Sequence, residues 1–432
     1  MGTIKDTVDK IIDLNSEEVI GLVKDIDLHP ELGFQEHRTS EIVAKYLKEC
    51  SYDVKEELAI TGLKTILKGK QYKYTIAFIA ELDGVVCKDS PKASPKDGAT
   101  HTCGHNLQLG ILMLVAKALK ESGVANELDG NIAFIAVPAE EYIQLEYRRQ
   151  LQKEEKIKYL SGKQEFIRLG LFDDIDAAIL LHAEPNSEVA SIHLYNTGNG
   201  FKLKDVVCKG KTAHAAAAPH EGINALHALV QGINNINAIR DTFQDENHSR
   251  IHYIITNGGG DNVNSVPSET SLQGYVRSSS IESIDNLSER FDKAFYCAGE
   301  NFNAKMSVRT SAGYMPLICN QALNNVFEDN ARKYLPKESI YHKGHFMAST
   351  DLGDLSHIMP VIQPMMGGIK GGLHSPDFEV TDYNAAIVIP AKIVTNTLID
   401  LLSDNRMENI LKGYKPELTK EEYLQLMEKD NL

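Results

Sequence analysis

A cysteine and a histidine two residues apart are the first feature of this 432-residue sequence that could do chemistry. Cys103 and His105 flank Gly104, which lets the backbone turn tightly between them. A thiolate and an imidazole are good ligands for a borderline divalent ion. Taken alone, the pair is also compatible with a buried cysteine beside a surface histidine. A third interpretation is that the pair forms half of a structural zinc site. In that case, removing the metal with a chelator would unfold the protein.

Two adjacent carboxylates form the second such feature. Glu140 and Glu141 directly follow the apolar run NIAFIAV and a proline. Neighbouring residues at a strand end point in different directions, so one carboxylate can bind a metal ion while the other stays available. The available one can take a proton from an attacking water and pass it to a leaving nitrogen. An exposed acidic turn is the plain alternative.

Three apolar runs place these groups in a common frame. The runs at 74–80, 131–137 and 177–181 are apolar throughout, as strands buried on both faces of a parallel sheet are. Each leads into ionisable residues, and ligands in open α/β sheets bind at the carboxyl ends of the strands. The residues expected to converge there are Asp83, Glu140, Glu141 and His182. The fold class predicted is α/β, a mostly parallel sheet with helices on both faces.

Helical patterns surround these strands. Ser16 is predicted to cap a helix that carries Val19 and Leu22 at helical spacing, and 107–120 reads as an amphipathic helix. The densely charged stretch 146–164 is expected to be a solvated helix.

The pattern changes near residue 198. Strands are predicted at 201–208, 250–256, 271–277 and 305–309, with helices at 223–239 and 284–301. This order is that of a ferredoxin-like α+β domain. We therefore expect residues 1–197 and 313–432 to form one domain and 198–312 to form a second domain inserted into it.

Four further residues are candidates with weaker individual signals. His374 lies in a glycine-rich turn, and His214 precedes a long helix. Asn264 and Arg277 could line a carboxylate-binding surface, because Arg pairs with carboxylates in bidentate fashion. Each of them could equally be an ordinary surface residue.

Composition narrows the class of partners. The chain has 45 basic and 60 acidic residues, a net charge of −15, which argues against nucleic acid or an anionic membrane surface. No continuous apolar run reaches the about 18 residues of a membrane span. The N-terminus does not read as a secretory signal, and the six scattered cysteines read as mostly reduced. A cytoplasmic protein is expected.

The collinear motifs resemble those of the metallo-amidohydrolase and peptidase family that includes aminoacylases and hippurate, auxin-conjugate and aminobenzoyl-glutamate hydrolases. The motifs are HPELGFQEHRTS (29–40), AELDG (80–84), HTCGHN (101–106), VPAEE (137–141), LHAEP (181–185), GKTAHAAAAP (210–219), NSVP (264–267), STDLGDLS (349–356) and GGLHSPDF (371–378). The STDLGDLS segment looks closest to the aminobenzoyl-glutamate hydrolase branch.

This resemblance implies a role for each candidate. The residues at positions that bind a pair of Mn or Zn ions are Cys103, His105, Glu141, His182 and His374. Glu140 falls on the general base, Asp83 on the acidic residue that orients a metal-bound imidazole, and His214 on a lid histidine that reaches into a partner's active site. The resemblance also implies a homodimer or higher homo-oligomer, a lid and dimerisation role for 198–312, and a small amide or peptide substrate.

Three departures from the family pattern stand out. Glu81 occupies a position where this branch often has Asp, Asn106 replaces a commoner Asp, and the charged stretch 148–164 is longer than usual. Two competing functions are a dipeptidase or aminopeptidase of the same fold and a non-catalytic dimeric binding protein. The presence of every expected ligand and of the base speaks against the second.

Overall fold

The computed structural model describes residues 2–260, 262–403 and 405–429. Its α-helices are α1 (Gly2–Leu28), α2 (His37–Glu49), α3 (His105–Glu121), α4 (Leu145–Lys153), α5 (Gly162–Arg168), α6 (Ala225–Ile239), α7 (Ile281–Asn301), α8 (Gln321–Ala331), α9 (Leu352–Ser356), α10 (Ile389–Leu401), α11 (Arg406–Gly413) and α12 (Lys420–Lys429). A π-helical turn at Asn384–Val388 precedes α10.

The strands are β1 (Lys55–Leu58), β2 (Gly62–Leu67), β3 (Thr75–Glu81), β4 (Val85–Val86), β5 (Ala99–Thr100), β6 (Asn131–Val137), β7 (Ala177–Leu180), β8 (His182–Ala183), β9 (Ile192–Gly198), β10 (Gly200–Lys209), β11 (Arg250–Asn257), β12 (Glu269–Ser278), β13 (Lys305–Ala312), β14 (Leu317–Ile318), β15 (Ile340–Phe346), β16 (Val361–Ile362), β17 (Met365–Met366), β18 (Ile369–Lys370) and β19 (Glu379–Val380). Helices and sheets are thus mixed, which confirms the α/β class in its general form.

The chain forms two compact units. The larger unit consists of Met1–Asn196, Ile318–Gly344 and Asp354–Lys420. The smaller unit consists of Thr197–Leu317, His345–Gly353 and Glu421–Leu432. The smaller unit therefore contains, besides the stretch near 198–312, two short segments that come later in the chain.

A six-stranded sheet is the centre of the larger unit. Its strand order is β1-β2-β6-β3-β7-β16, in which β6, β3, β7 and β16 are parallel, β2 pairs antiparallel with β6, and β1 pairs antiparallel with β2. Every residue of β3 and β6 is buried. The observed strands begin and end within one residue of the apolar runs that predicted them.

Helix α3 is buried on nearly every face. It packs against α1, α10 and β3, and almost all of its residues are buried. The expectation of an amphipathic helix at 107–120 was therefore wrong, because neighbours cover the helix on all sides.

The expected helix start at Ser16 was also wrong. Helix α1 runs on through that position, where the Ser16 hydroxyl donates to the Asp13 carbonyl.

One helical stretch, Asn384–Leu401, is long and apolar enough to cross a membrane by length and composition. Within it, 78% of the residues are buried in the protein. Ile387, Val394 and Leu398 belong to the hydrophobic core of the larger unit. A buried core helix can have the same length and composition, and the burial indicates that this stretch is a core helix.

The smaller unit contains a four-stranded antiparallel sheet of order β11-β12-β10-β13. Helices α6 and α7 pack on it through a core that includes Leu229, Phe291 and Phe295. The side chains of Asn224 and Ser280 cap the N-termini of these helices.

Burial of α3 predicts where stability is sensitive to mutation. Leu112 is 0% exposed, whereas Leu14 on α1 is 83% exposed. We expect Leu112→Ala to lower the free energy of unfolding by about 2–5 kcal/mol, because it removes buried methyl groups and leaves a cavity. Leu14→Ala should change it by less than about 0.5 kcal/mol. Denaturant unfolding monitored by circular dichroism measures both, and equal effects would contradict the packing described for α3.

Candidate active site and metal centre

The Cys103–His105 turn is shaped by Gly104. Gly104 has φ 82°, a left-handed conformation that favours glycine. A Cβ at this position would lie 2.8 Å from the Cβ of Ala183, so the space is closed as well. The chain passes from this turn directly into α3 at His105. Both ligand candidates are thereby held against the carboxyl end of the sheet.

Cys103 is surrounded by three other candidate ligands. Its Sγ lies 3.3 Å from Nε2 of His182 and 3.2 Å from Nε2 of His374. The same Nε2 of His374 lies 2.8 Å from Oε1 of Glu141. Cys103, Glu141 and His182 are buried, and the side chain of His374 is 48% exposed. Four residues that are far apart in sequence therefore meet at one point.

His105 is held by Asp83. Its Nδ1 lies 2.8 Å from the Asp83 carbonyl oxygen and 3.2 Å from the Asp83 carboxylate. Nδ1–H is the donor to these acceptors, so Nε2 is the nitrogen that faces the carboxylates of Glu81 at 3.1 Å and Glu140 at 3.9 Å. His182 is oriented in the same way, since its Nδ1 lies 3.0 Å from the Ala183 carbonyl. Both imidazoles thus present the nitrogen that a metal ion needs.

The donor set fits divalent metal ions. Among the described residues, the buried atoms His105 Nε2 and Glu141 Oε1 face other ligand candidates, Glu81 Oε2 at 3.1 Å and His374 Nε2 at 2.8 Å. Three groups each have donor atoms within 4.8 Å of one another, and they are Cys103–His105–His182, Cys103–Glu141–His374 and Glu81–His105–Glu140. Thiolate, imidazole and carboxylate together suit borderline divalent ions.

Charge in the cluster favours the ionised forms of Cys103 and Glu141. Burial and the Glu141 carboxylate raise the pKa of Cys103, but the imidazoles of His182, His374 and His105 outweigh them and bring it to about 6. Burial likewise raises the pKa of Glu141, and the neighbouring His374 more than reverses this. A thiolate and a carboxylate are the forms that bind metal.

The turn before Glu140 has a strained backbone, which side chains from other parts of the chain hold in place. Ala139 has φ 55°, which is unusual for a residue with a side chain. Its N–H donates to Oε1 of Glu36 at 2.8 Å, and Thr61 Oγ1 donates to Oε2 of Glu36 at 2.7 Å. The guanidinium of Arg148 donates to the carbonyls of Ala139, Leu160 and Glu141. These contacts fix the directions in which Glu140 and Glu141 leave the strand.

The charged stretch 146–164 was therefore misjudged as a solvated helix. It forms α4, a loop and the start of α5, and Arg148 and Lys163 are fully buried. Their partners are backbone carbonyls and the Glu81 carboxylate, which no local pattern reveals. The sequence patterns assigned no role beside the site to Glu36, Arg148 or Lys163.

The remaining candidates lie in the smaller unit. His214 is exposed, and its Nδ1 accepts the N–H groups of Ala216 and Ala217 at 3.2 and 3.1 Å. Asn264 is its neighbour, since the Asn264 carbonyl accepts the N–H of Ala215 at 2.8 Å. Arg277 stacks on Phe201 and donates to Ser349 Oγ at 2.7 Å.

Asn264 and Arg277 are not adjacent. The pairing of β10 with β12 runs from Lys209 opposite Glu269 to Phe201 opposite Arg277. Asn264 precedes the Glu269 end of β12, and Arg277 lies near the other end. Glu269 and Arg277 are about 26 Å apart along the strand at 3.3 Å per residue. Within one chain, they do not line a single small surface.

Comparison with known proteins shows the family of this chain. Residues 77–399 match the model of peptidase family M20/M25/M40. An N-acetyl-L-cysteine deacetylase of Bacillus subtilis is 28% identical over 323 residues, 73% of each chain. An Xaa-Arg dipeptidase of Mus musculus is 27% identical over 442 residues, 96% of this chain and 92% of that protein.

A solved structure shares the fold. The Bacillus subtilis YXEP protein, described as a dinuclear metal-binding peptidase of the M20 family, superposes with a TM-score of 0.69 at 20% identity. The match covers 90% of this chain and 99% of that one. The family resemblance seen in the motifs is confirmed: the chain belongs to peptidase family M20/M25/M40 and is a metallo-hydrolase that acts on amide bonds.

Proposed function

We propose that the protein hydrolyses the amide bond of N-acyl or N-aminoacyl amino acids, with two Mn or Zn ions as cofactors. The ligands in this proposal are Cys103, His105, Glu141, His182 and His374. The observation that carries it is the meeting of Cys103 Sγ with His182 and His374, and of His374 with Glu141. Buried ligand atoms of mixed chemistry are otherwise costly to gather in one place.

The two glutamates have different roles in this proposal. Glu141 Oε1 faces His374, as a ligand would, whereas Glu140 Oε2 is 3.9 Å from His105 Nε2. The ions, when bound, would supply a nucleophilic water at neutral pH and polarise the substrate carbonyl. Glu140 takes a proton from the attacking water and delivers it to the departing nitrogen. Asp83 keeps the proton of His105 on Nδ1 and the ring in position.

The inserted segment 198–312 is assigned the role of a lid and dimerisation domain. His214 accepts backbone N–H groups at Nδ1, so its neutral ring carries a proton on Nε2. A proton at that atom can be donated to an oxyanion. Asn264 and Arg277 are assigned to substrate binding. Since they do not line one small surface within a chain, each is assigned a separate contact: Asn264 acts beside His214, and Arg277 acts near Ser349. A cytoplasmic homodimer remains our expectation.

Replacing Glu140 by Gln tests the base. The amide keeps the shape of the side chain but cannot accept the proton at neutral pH. We expect kcat to fall on the order of 10²–10⁴-fold while two ions per chain are retained. Activity assays and elemental analysis on the same sample measure this. Glu141→Gln is the matched control, which should lose metal as well as activity. Near-normal kcat in Glu140→Gln would show that another group is the base.

Chelation separates a catalytic from a structural metal site. A chelator should abolish hydrolysis and leave the circular dichroism spectrum intact, since both units have extensive hydrophobic cores of their own. Activity should return when Mn²⁺ or Zn²⁺ is added back. Unfolding on chelation would instead favour a structural zinc site.

The substrate class is tested by a panel of amides. A dipeptidase is the second candidate, favoured by the similarity to an Xaa-Arg dipeptidase along almost the whole chain. Dipeptides carry a free α-amino group, which N-acetyl, hippuryl and aminobenzoyl amino acids lack. We expect the second group to show at least about a tenfold higher kcat/KM, an activation difference of about 1.4 kcal/mol. A reversed ranking would assign the protein to the dipeptidases.

A further inference from the structure

A buried ion pair lies beside His105 and is not part of the ligand set assigned above. Glu81 is the last residue of β3, and its Oε1 is paired with the ammonium of Lys163 from α5. Its Oε2 accepts a hydrogen bond from Gln108 Nε2 at 2.8 Å. The Glu81 N–H donates to Gln108 Oε1 at 3.0 Å. All three residues are buried, so the carboxylate is held in one orientation.

That orientation points Glu81 at Nε2 of His105. Oε2 lies 3.1 Å from His105 Nε2, closer than Glu140 Oε2 at 3.9 Å. His105 and Glu81 are both 0% exposed. Their facing atoms, Nε2 and Oε2, belong with an oxygen of Glu140 to one group of donor atoms that all lie within 4.8 Å of one another. This geometry places Glu81 Oε2 as a second donor to a cation bound at His105 Nε2.

The charges of the buried groups also favour a cation beside Glu81. Five buried acidic groups are donor atoms or contact them directly, and they are Glu81, Asp83, Cys103, Glu140 and Glu141. Two divalent ions bring four positive charges. A buried surplus of negative charge is expensive in a low-dielectric interior. The buried cations Lys163, at the Glu81 carboxylate, and Arg148, at the Glu141 carbonyl, add positive charge beside the site.

We propose that Glu81 is an additional ligand, through Oε2, of the ion at His105 Nε2, and that Lys163 is the positioning residue that holds its other oxygen. This rests on the proposed function, because it presupposes the two ions. Lys163 restricts Glu81 to one coordinating oxygen by occupying Oε1, and Gln108 fixes the rotation of the carboxylate. The charged stretch that ends in α5 thereby contributes directly to the metal site.

The test measures metal binding, independently of activity. Metal-free wild type, Glu81→Gln, Lys163→Met and the double variant are equilibrated with buffered free Zn²⁺, and bound zinc per chain is counted by elemental analysis. Wild type is expected to bind two ions. Glu81→Gln should bind one of them at least 10-fold more weakly, and Lys163→Met should weaken the same ion by about 10–100-fold. The double variant should match Glu81→Gln, because Lys163 acts through Glu81.

Lys204→Met is the matched control. Lys204 is a fully buried lysine in the smaller unit, where its Nζ lies 2.6 Å from Asp292 Oδ1. Its loss should lower the melting temperature of the metal-free protein without changing either zinc affinity. If Glu81→Gln does not fold, Glu81→Asp shortens the carboxylate by one methylene and should weaken the same ion.

Three results are distinguishable. Unchanged binding of both ions in Glu81→Gln and Lys163→Met, with only a lower melting temperature, would make the pair structural and overturn the inference. Additive effects in the double variant would overturn the role of Lys163 through Glu81. Wild type that binds no zinc at all would overturn the proposed function itself.

Discussion

Burial of several acidic groups at one edge of a sheet is the constraint on which the rest of the larger unit depends. Carboxylates and a thiolate repel one another when they are withdrawn from water, and they stay charged only beside positive groups. The imidazoles of His182 and His374 do this for Cys103 and Glu141. Lys163 does so for Glu81, whose pKa falls below its ordinary value although burial raises it. The site is therefore assembled around charge compensation.

The backbone supplies the rigidity that this compensation requires. Strands β3, β6 and β7 lie side by side and are fully buried, so the residues that follow them have fixed starting points. Asp83 then ties two of these ends together, since its carboxylate meets His105 and also accepts the N–H of Glu141 at 2.9 Å. The strained turn at Ala139 persists because Glu36 and Arg148 hold its backbone groups.

Sequence reasoning succeeded where the signal was local. Apolar runs gave the strands, and the residues just after them gave Asp83, Glu140, Glu141 and His182. It failed where a side chain's role depends on distant partners. Arg148 and Lys163 sit in a run of charges that looks solvated, yet Lys163 pairs with a carboxylate 82 residues away. The burial of α3 was missed for the same reason, because α1 and α10, which cover it, come from the two ends of the chain.

We propose above all that the larger unit gathers ligands for two divalent ions at the carboxyl edge of its sheet. Anomalous X-ray scattering at the zinc edge, from crystals grown with Zn²⁺, tests this most directly. We expect two peaks among the donor atoms of Cys103, His105, Glu141, His182 and His374. No peak among these atoms, or a single peak bound only by Cys103 and His105, would contradict it.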